Sequence, residues 1–344
     1  MLKPVAIDLF SGCGGLSEGL KQAGFDVRGA VEIDQTASQT YIENHPSTKL
    51  VNKDIKEVSG VELIKKIGED VTLIAGCPPC QGFSTLKTKK KKNSLKDKRN
   101  ELIFEFIRIV KELLPTFIMV ENVPGLKDYL HFNEAIQELT YLGYGIDYQI
   151  INVADFGVPQ RRKRLVLMGS LLNKNIKVPI GDSVKQTTVR DCIYGLEKPE
   201  ETDDSLHSIH SKHNDRIKKM ITLIPGDGGS RKDLPQEYWL ECHKKGGVGF
   251  SDVYGRLSWD QLSSTITSGC LSPSKGRFLH PEQNRSISAR EAALLQTFPI
   301  DYRFPVLKNK TSLAQMIGNA FPPGVSKIQG EYFMSLLDKI GSVS

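Results

Sequence analysis

Val5-Ala6-Ile7-Asp8-Leu9-Phe10-Ser11-Gly12-Cys13-Gly14-Gly15 decides how the chain is read. Val5 to Phe10 is an apolar, β-favouring run, and the glycines after it form a turn into a helix expected over Leu16 to Ala23. Gly24 ends that helix, and Val27 to Ile33 reads as the next strand. The result is a βαβ unit with a glycine-rich first turn. Glycines there let the backbone approach a ligand closely, and Glu32 stands where dinucleotide folds place the acid that holds ribose hydroxyls.

Gly12, Gly14 and Gly15 do not complete the G-x-G-x-x-G fingerprint, whose third glycine falls at Ser17. Asp8, Glu32 and Asp54 all lie at the carboxyl ends of predicted strands, where an open parallel sheet binds its ligand. Three carboxylates would repel a pyrophosphate. They tolerate a ribose diol, an adenine amino group and a positive charge, so the pattern points to a sulfonium cofactor such as S-adenosylmethionine.

The alternation continues downstream. Helices are expected over Gln35 to Asn44, Val61 to Ile67, Glu101 to Leu114 and Asn133 to Leu142. Strands are expected at Leu50 to Asn52, Val71 to Ala75, Phe117 to Val120, Tyr148 to Val153 and Arg164 to Met168. This is a doubly wound, Rossmann-like α/β pattern. From Leu172 to Arg285 periodicity weakens and glycine turns multiply, as in Pro225 to Gly229 and Gly246 to Gly249. Helical pattern returns at Ser288 and closes with Gly324 to Ile340. The expected organisation is a core over 1–171, a smaller irregular domain over 172–285, and a segment over 286–344 that returns to the core.

Of the 344 residues, 25% are charged and 39% hydrophobic, which fits a globular chain. No apolar run approaches a membrane span and no leader pattern precedes the first strand, so a cytoplasmic protein is expected. Cys13, Cys77, Cys80, Cys192, Cys242 and Cys270 are too sparse for a disulfide scaffold. The net charge of +6 is mild, but Lys87, Lys89 to Lys92, Lys96, Lys98 and Arg99 crowd one segment and Arg161 to Arg164 another. Such patches suit phosphate, although an isolated charge run is more often a solvated face.

Gly76-Cys77-Pro78-Pro79-Cys80-Gln81-Gly82-Phe83-Ser84 follows the apolar strand ending at Ala75. Two prolines stiffen the loop and would hold Cys80 exposed at the sheet edge, beside a cationic stretch that favours thiolate. Taken alone, the C-x-x-C could equally be a redox pair, half a metal site or two structural cysteines. His207, His210 and His213, and Cys242-His243, raise the question of zinc, but no matched ligand pair accompanies them. Solvated loop histidines are expected instead.

Read in order, Asp8 to Gly15, Glu32-Ile33-Asp34, Gly76 to Ser84, Arg99 to Leu102, Glu121-Asn122-Val123, Gln160 to Arg164, Arg290-Glu291 and Gly318 to Pro323 resemble the motif series of the cytosine-C5 DNA methyltransferases of bacterial restriction-modification type. The resemblance spans all but the irregular middle. It implies that Cys80 is the thiolate that adds to cytosine C6, because C5 is too weak a nucleophile to take a methyl group unaided. It implies Glu121 as the acid at N3, worth about 10²–10⁴-fold. It places Arg162 against the cytosine carbonyl or the adjoining phosphate, and Arg164 in support of the catalytic loop. For S-adenosylmethionine, released as S-adenosylhomocysteine, it implies Asp8, Phe10, Gly12, Gly14, Glu32, Ile33, Asp54, Ile55, Pro79, Leu102 and Asn319.

The partner implied is double-stranded DNA with the target base extruded, since Cys80 cannot reach a stacked cytosine. Gln81, Ser84, Lys89, Lys91, Arg99, Arg162, Thr265 and Thr267 are the expected DNA contacts, and residues 172–285 the target-recognition domain. The resemblance further implies a monomer working beside the nucleoid, with a possible companion endonuclease acting on the same site. Rival readings are a tRNA methyltransferase of the same fold, a nicotinamide oxidoreductase, which the broken fingerprint disfavours, and a DNA-binding module without activity.

Overall fold

The computed structural model describes residues 3–79, 101–181, 184–239, 241, 252–305 and 309–341. Its contacts divide into two compact units. The first comprises 1–156, 163–184 and 321–344, and the second 157–162 and 185–320. These divisions differ in position from the junctions expected at 171 and 285, and the helix opening at Ser288 belongs to the second unit.

The first unit is built on one seven-stranded sheet in the order β3-β2-β1-β4-β5-β7-β6. Its strands are β1 (Val5–Leu9), β2 (Asp26–Val31), β3 (Lys49–Val51), β4 (Leu73–Gly76), β5 (Phe117–Asn122), β6 (Gly145–Asn152) and β7 (Lys163–Ser170). The helices between them are α1 (Gly15–Gln22), α2 (Gln35–Asn44), α3 (Gly60–Ile67), α4 (Leu102–Leu113) and α5 (Leu130–Tyr141). α2 matches its expected span because Asp34 caps it, accepting from the Ala37 amide at 2.8 Å. On α4 the apolar stripe buries Ile103, Phe106, Ile107, Ile109 and Val110, each contributing about 1.5–3 kcal/mol of burial.

β1 to β5 pair in parallel, but β7 runs antiparallel to both β5 and β6. The sheet is therefore mixed, and its parallel part carries the expected doubly wound, Rossmann-like α/β pattern. Between Asn152 and Lys163 there is only a short 3-10 turn, Val153–Phe156, and a parallel return would need a longer crossover, usually a helix.

The strand order reverses between β1 and β4. The chain runs outward from β1 to β3, then returns to place β4 on the other side of β1, which opens a crevice at the carboxyl ends of these two strands. The Cys77 amide donates to the Leu9 carbonyl at 3.2 Å, so the glycine turn and the start of the Pro-Pro loop leave the sheet side by side.

In the second unit the described residues form α6 (Val189–Ile193), α7 (Asp215–Leu223), α8 (Ala289–Leu295) and α9 (Lys310–Asn319), with isolated bridges in place of strands. α10 (Pro323–Gly341) belongs to the first unit. Part of the second unit is organised around a charge. Arg256, 2% exposed, donates to the carbonyls of Ile221, Ile224, His280 and Gln283 and to the Asn284 side chain. These bonds satisfy a stretch too irregular to pair its own backbone groups. No helix among the described residues is long and apolar enough to cross a membrane.

Candidate active site

The glycine turn is shaped by positive φ angles at Phe10 (61°), Gly12 (56°) and Gly14 (95°). A Cβ on Gly12 would meet nothing within 4 Å, so open space faces this turn. Glu32 closes over it, accepting from the Gly12 amide at 2.8 Å and the Asp34 amide at 2.7 Å. Burial raises the Glu32 carboxyl above its ordinary range, and the amides of Asp34 and Gly12 oppose that rise. The Asn52 amide donates to the Glu32 carbonyl at 2.7 Å and the Ile33 carbonyl at 3.2 Å, leaving Ile33 64% exposed.

Other expected cofactor residues are distributed unevenly. Asp54 caps a short 3-10 turn through the Lys56 amide at 3.0 Å, and Ile55 packs in the hydrophobic core. Phe10 and Leu102 lie half-buried at the edge of that core, and Pro79 is exposed. Asn319 is exposed at the end of α9 in the second unit.

Asp8 is wholly enclosed. Ser17 donates to its Oδ2 at 2.6 Å, and Tyr41, 2.8 Å from the Ser17 hydroxyl, completes a buried chain. With Asp8 ionised, Tyr41 is the donor to Ser17. Asp8 Oδ1 is buried without a partner, and burial raises the carboxyl from 3.8 to about 7. Because the proton is held more tightly in the folded chain, this stabilisation is fully present below about 3.8 and is lost as pH rises through about 7. Asp8→Asn is neutral throughout, so the Tm of the wild type should fall relative to that variant as pH is raised across this window. Parallel Tm curves for the two proteins in thermal unfolding would refute the assignment.

Beside the turn, Asn122 at the end of β5 donates from Nδ2 to the Pro78 carbonyl at 2.9 Å and accepts from the Val123 amide at 2.8 Å. Its amide thus fixes the root of the Pro-Pro loop. Glu121, one residue earlier and 6% exposed, pairs through Oε1 with Arg164 Nε at 2.7 Å. The β5–β7 register, Glu121 opposite Val166, brings these residues together. Removing one member of so enclosed a pair would leave an uncompensated buried charge. Cys77 hydrogen-bonds Glu121, and burial, followed by the Glu121 charge, pushes its thiol well above the ordinary range. Cys80, Gln81, Ser84, Lys89, Lys91 and Arg99 lie outside the described residues.

Within the second unit, Arg162 is 3% exposed. It donates to the carbonyls of Ile266 (3.0 Å), Gly318 (2.8 Å) and Ala320 (3.2 Å). Thr265 donates to the Arg161 carbonyl, and the Thr267 hydroxyl accepts from the Gly269 amide at 3.3 Å. His207 is buried rather than solvated: Ser288 Oγ and the Glu197 carbonyl engage its two ring nitrogens at 2.7 and 2.8 Å. Among the described residues no cluster of three or more His, Cys, Asp or Glu is placed to hold a metal ion.

Sequence reading missed Asn122 as a loop anchor, the Tyr41–Ser17 chain and the buried glutamines 160 and 296. Ser17 carried a signal, standing where the third fingerprint glycine would be. For Gln296 no local pattern exists.

A family model described as C-5 cytosine-specific DNA methylase matches residues 5–333. The chain is 38% identical to the Type II methylase M.HgiDII of Herpetosiphon aurantiacus, over 94% of this chain and 92% of that one. It is 33% identical to the Type II methyltransferase M1.HphI of Haemophilus parahaemolyticus, over 96% and 86%. Among solved structures it resembles a prophage-encoded DNA modification methyltransferase from E. coli, with a TM-score of 0.72 and 28% identity over 98% of this chain and all (100%) of that one. The S. pombe Dnmt2 methyltransferase, at a TM-score of 0.66 and 18% identity over 98% of this chain and 100% of that one, shares the fold.

Proposed function

The chain belongs to the C-5 cytosine-specific DNA methylase family, and we propose that it methylates cytosine in double-stranded DNA through a covalent Cys80 adduct. The observation that carries this reading is the convergence of the glycine turn, the root of the Pro-Pro loop and Glu121 at the carboxyl ends of β1, β4 and β5.

S-adenosylmethionine fits the turn: the space before Gly12 admits a ligand, and the Glu32 carboxylate offers an acceptor for a ribose diol while repelling a pyrophosphate. Ile33 would face adenine. The cofactor supplies an electrophilic methyl group. Cys80 adds as thiolate to C6, forming the S–C6 bond and moving the ring electrons toward N3, where Glu121 supplies a proton or hydrogen bond. Arg164 holds the Glu121 carboxyl in place. After methylation, loss of the C5 proton expels Cys80 and restores the aromatic ring.

Arg162 acts on the target through the Thr265 to Thr267 segment that it anchors. Lys89, Lys91, Arg99, Gln81 and Ser84 are proposed to contact the DNA around the extruded base, the phosphate contacts offsetting the cost of extrusion. Residues 172–285 are proposed to choose the sequence, since every motif with a chemical role except Thr265 and Thr267 lies outside them. The protein would act as a monomer on cytoplasmic, nucleoid DNA, beside an endonuclease of the same specificity.

Bisulfite sequencing of duplex DNA incubated with the protein and S-adenosylmethionine tests the reading. Conversion-resistant cytosines should recur in one sequence context and vanish when the cofactor is omitted. Complete conversion in both samples would overturn it.

A further inference from the structure

Asp8 is the one polar residue of β1 and stands at the root of the glycine turn, fully enclosed. Its neighbours in register are Ala30 on β2 and Ala75 on β4, which bring it no polar side chain. Ser17 donates to Oδ2 at 2.6 Å, while Oδ1 is buried without a partner. An enclosed carboxylate with an oxygen left unpaired is costly. Glu32 lies at the same turn, held by the amides of Gly12 and Asp34. Two carboxyls thus share one turn, and among the described residues neither forms an ion pair.

The other groups around Asp8 carry no positive charge to offset it. Ser17 on α1 and, behind it, Tyr41 on α2 are neutral hydroxyls. Burial pushes the Cys13 thiol in the turn up to about 12 and the Cys77 thiol after β4 well above its ordinary range, with the Asp8 charge adding to both, so both stay protonated. His45, its ring centroid 4.6 Å from that of Tyr41, is driven down to about 3 by burial and then by Lys21, and stays neutral. Lys21 itself meets His45 Nδ1 at 3.3 Å rather than either acid. Burial, opposed by Ser17 and reinforced by the Glu32 charge, raises Asp8 from 3.8 to about 7. Near neutral pH its charge is half-formed, and a cation brought to the turn decides it.

We propose that Asp8 is a specificity-determining residue that acts without touching the cofactor: through space, its carboxylate favours the sulfonium of S-adenosylmethionine over the uncharged thioether of S-adenosylhomocysteine, and so substrate over product. This rests on the reading that the cofactor occupies the glycine turn. The two molecules differ by one methyl group and one positive charge. At an effective dielectric of about 20, a unit positive charge within about 10 Å lowers the pKa of a carboxyl by about one. The cation holds Asp8 ionised, so its binding expels the proton. Affinity for the sulfonium therefore rises with pH and levels off above about 7, whereas affinity for the thioether does not sense Asp8.

The test is titration calorimetry of the full chain without DNA, using S-adenosylmethionine and S-adenosylhomocysteine in turn. Between about pH 6 and about pH 8, the affinity ratio of the first to the second should rise about 5-fold more in the wild type than in Asp8→Asn, as follows from lowering a pKa of about 7 by one. The ligands' own ionisation is common to both proteins and cancels in that comparison. Buffers of different ionisation heat count the proton: at about pH 7, S-adenosylmethionine should release about 0.4 of a proton more from the wild type than from Asp8→Asn. Ser17→Ala removes a hydrogen bond that favours the carboxylate, so the midpoint of the rise should move to higher pH. A merely structural role for either residue would lower Tm and leave the pH profile in place. If Asp8→Asn does not fold, the Ser17→Ala midpoint judges the proposal by itself. Equal pH dependence of the ratio in wild type and Asp8→Asn, or an unmoved midpoint in Ser17→Ala, overturns it. Binding of both ligands with a flat ratio would remove the charge selection and keep the cofactor reading, whereas binding of neither would remove both.

Discussion

Alanine at position 80 should lower methyl transfer by about 10⁴ or more, the scale of losing a covalent nucleophile. Without the thiolate, C5 remains part of an aromatic ring and cannot attack the cofactor's methyl group, and the thiols of the described cysteines, Cys13, Cys77, Cys192 and Cys270, are all raised by burial. Cys77, the nearest other cysteine in sequence, is pushed well above the ordinary range by burial and by Glu121, so it remains protonated and cannot take over. S-adenosylhomocysteine affinity should be unchanged, because the turn and Glu32, proposed to face the cofactor, are held by β1, β2 and α2. Duplex DNA carrying 5-fluorocytosine at the target supplies the positive control. Fluorine cannot leave as a proton does, so the wild type should be trapped as a denaturation-resistant adduct and the alanine variant should not. Transfer by Cys80→Ala at a rate near wild type would refute the covalent mechanism.

Glu121→Gln should reduce kcat by about 10²–10⁴ with little change in DNA affinity. The amide retains an oxygen to accept from Arg164, 2.7 Å away, so that contact is kept, but the Arg164 charge loses its counter-ion and Tm should fall. What is lost is the capacity to protonate N3 as C6 is attacked. The electrons displaced from C6 then have no acid to meet them, and the barrier to adduct formation rises. The 5-fluorocytosine trap separates this step from later ones, since the variant should form the adduct slowly, whereas wild type forms it at once. A loss of DNA affinity equal to the loss of rate would show Glu121 to be a binding residue.

Local pattern carried a large part of the architecture. Apolar strands, the glycine turn and capping residues placed the βαβ alternation and α2 to the residue, because each depends on a few neighbours along the chain. The return of helical pattern at Ser288 was legible, and the structure shows Ser288 capping that helix in a full capping box with Glu291. The motif series likewise pointed to the cytosine-C5 DNA methyltransferase family, and the family match over residues 5–333 bears that out.

Pairings between distant residues were decided by the tertiary structure alone. Arg164 was expected to support the catalytic loop, yet it pairs with Glu121 because the antiparallel β5–β7 register sets them side by side, and strand direction leaves no local trace. Asp8, expected at the cofactor, is enclosed against Ser17 and Tyr41, and His207, expected in solvent, is buried against Ser288. Arg256 gathers carbonyls from both sides of its own position in the chain, and Gln296 meets Gln160 from the far side of the second unit's sequence. Hydrophobic period and turn chemistry act over one or two turns of chain. The partner of a buried polar group is set by which segments packing brings within about 3 Å, a distance that spacing in the sequence does not encode.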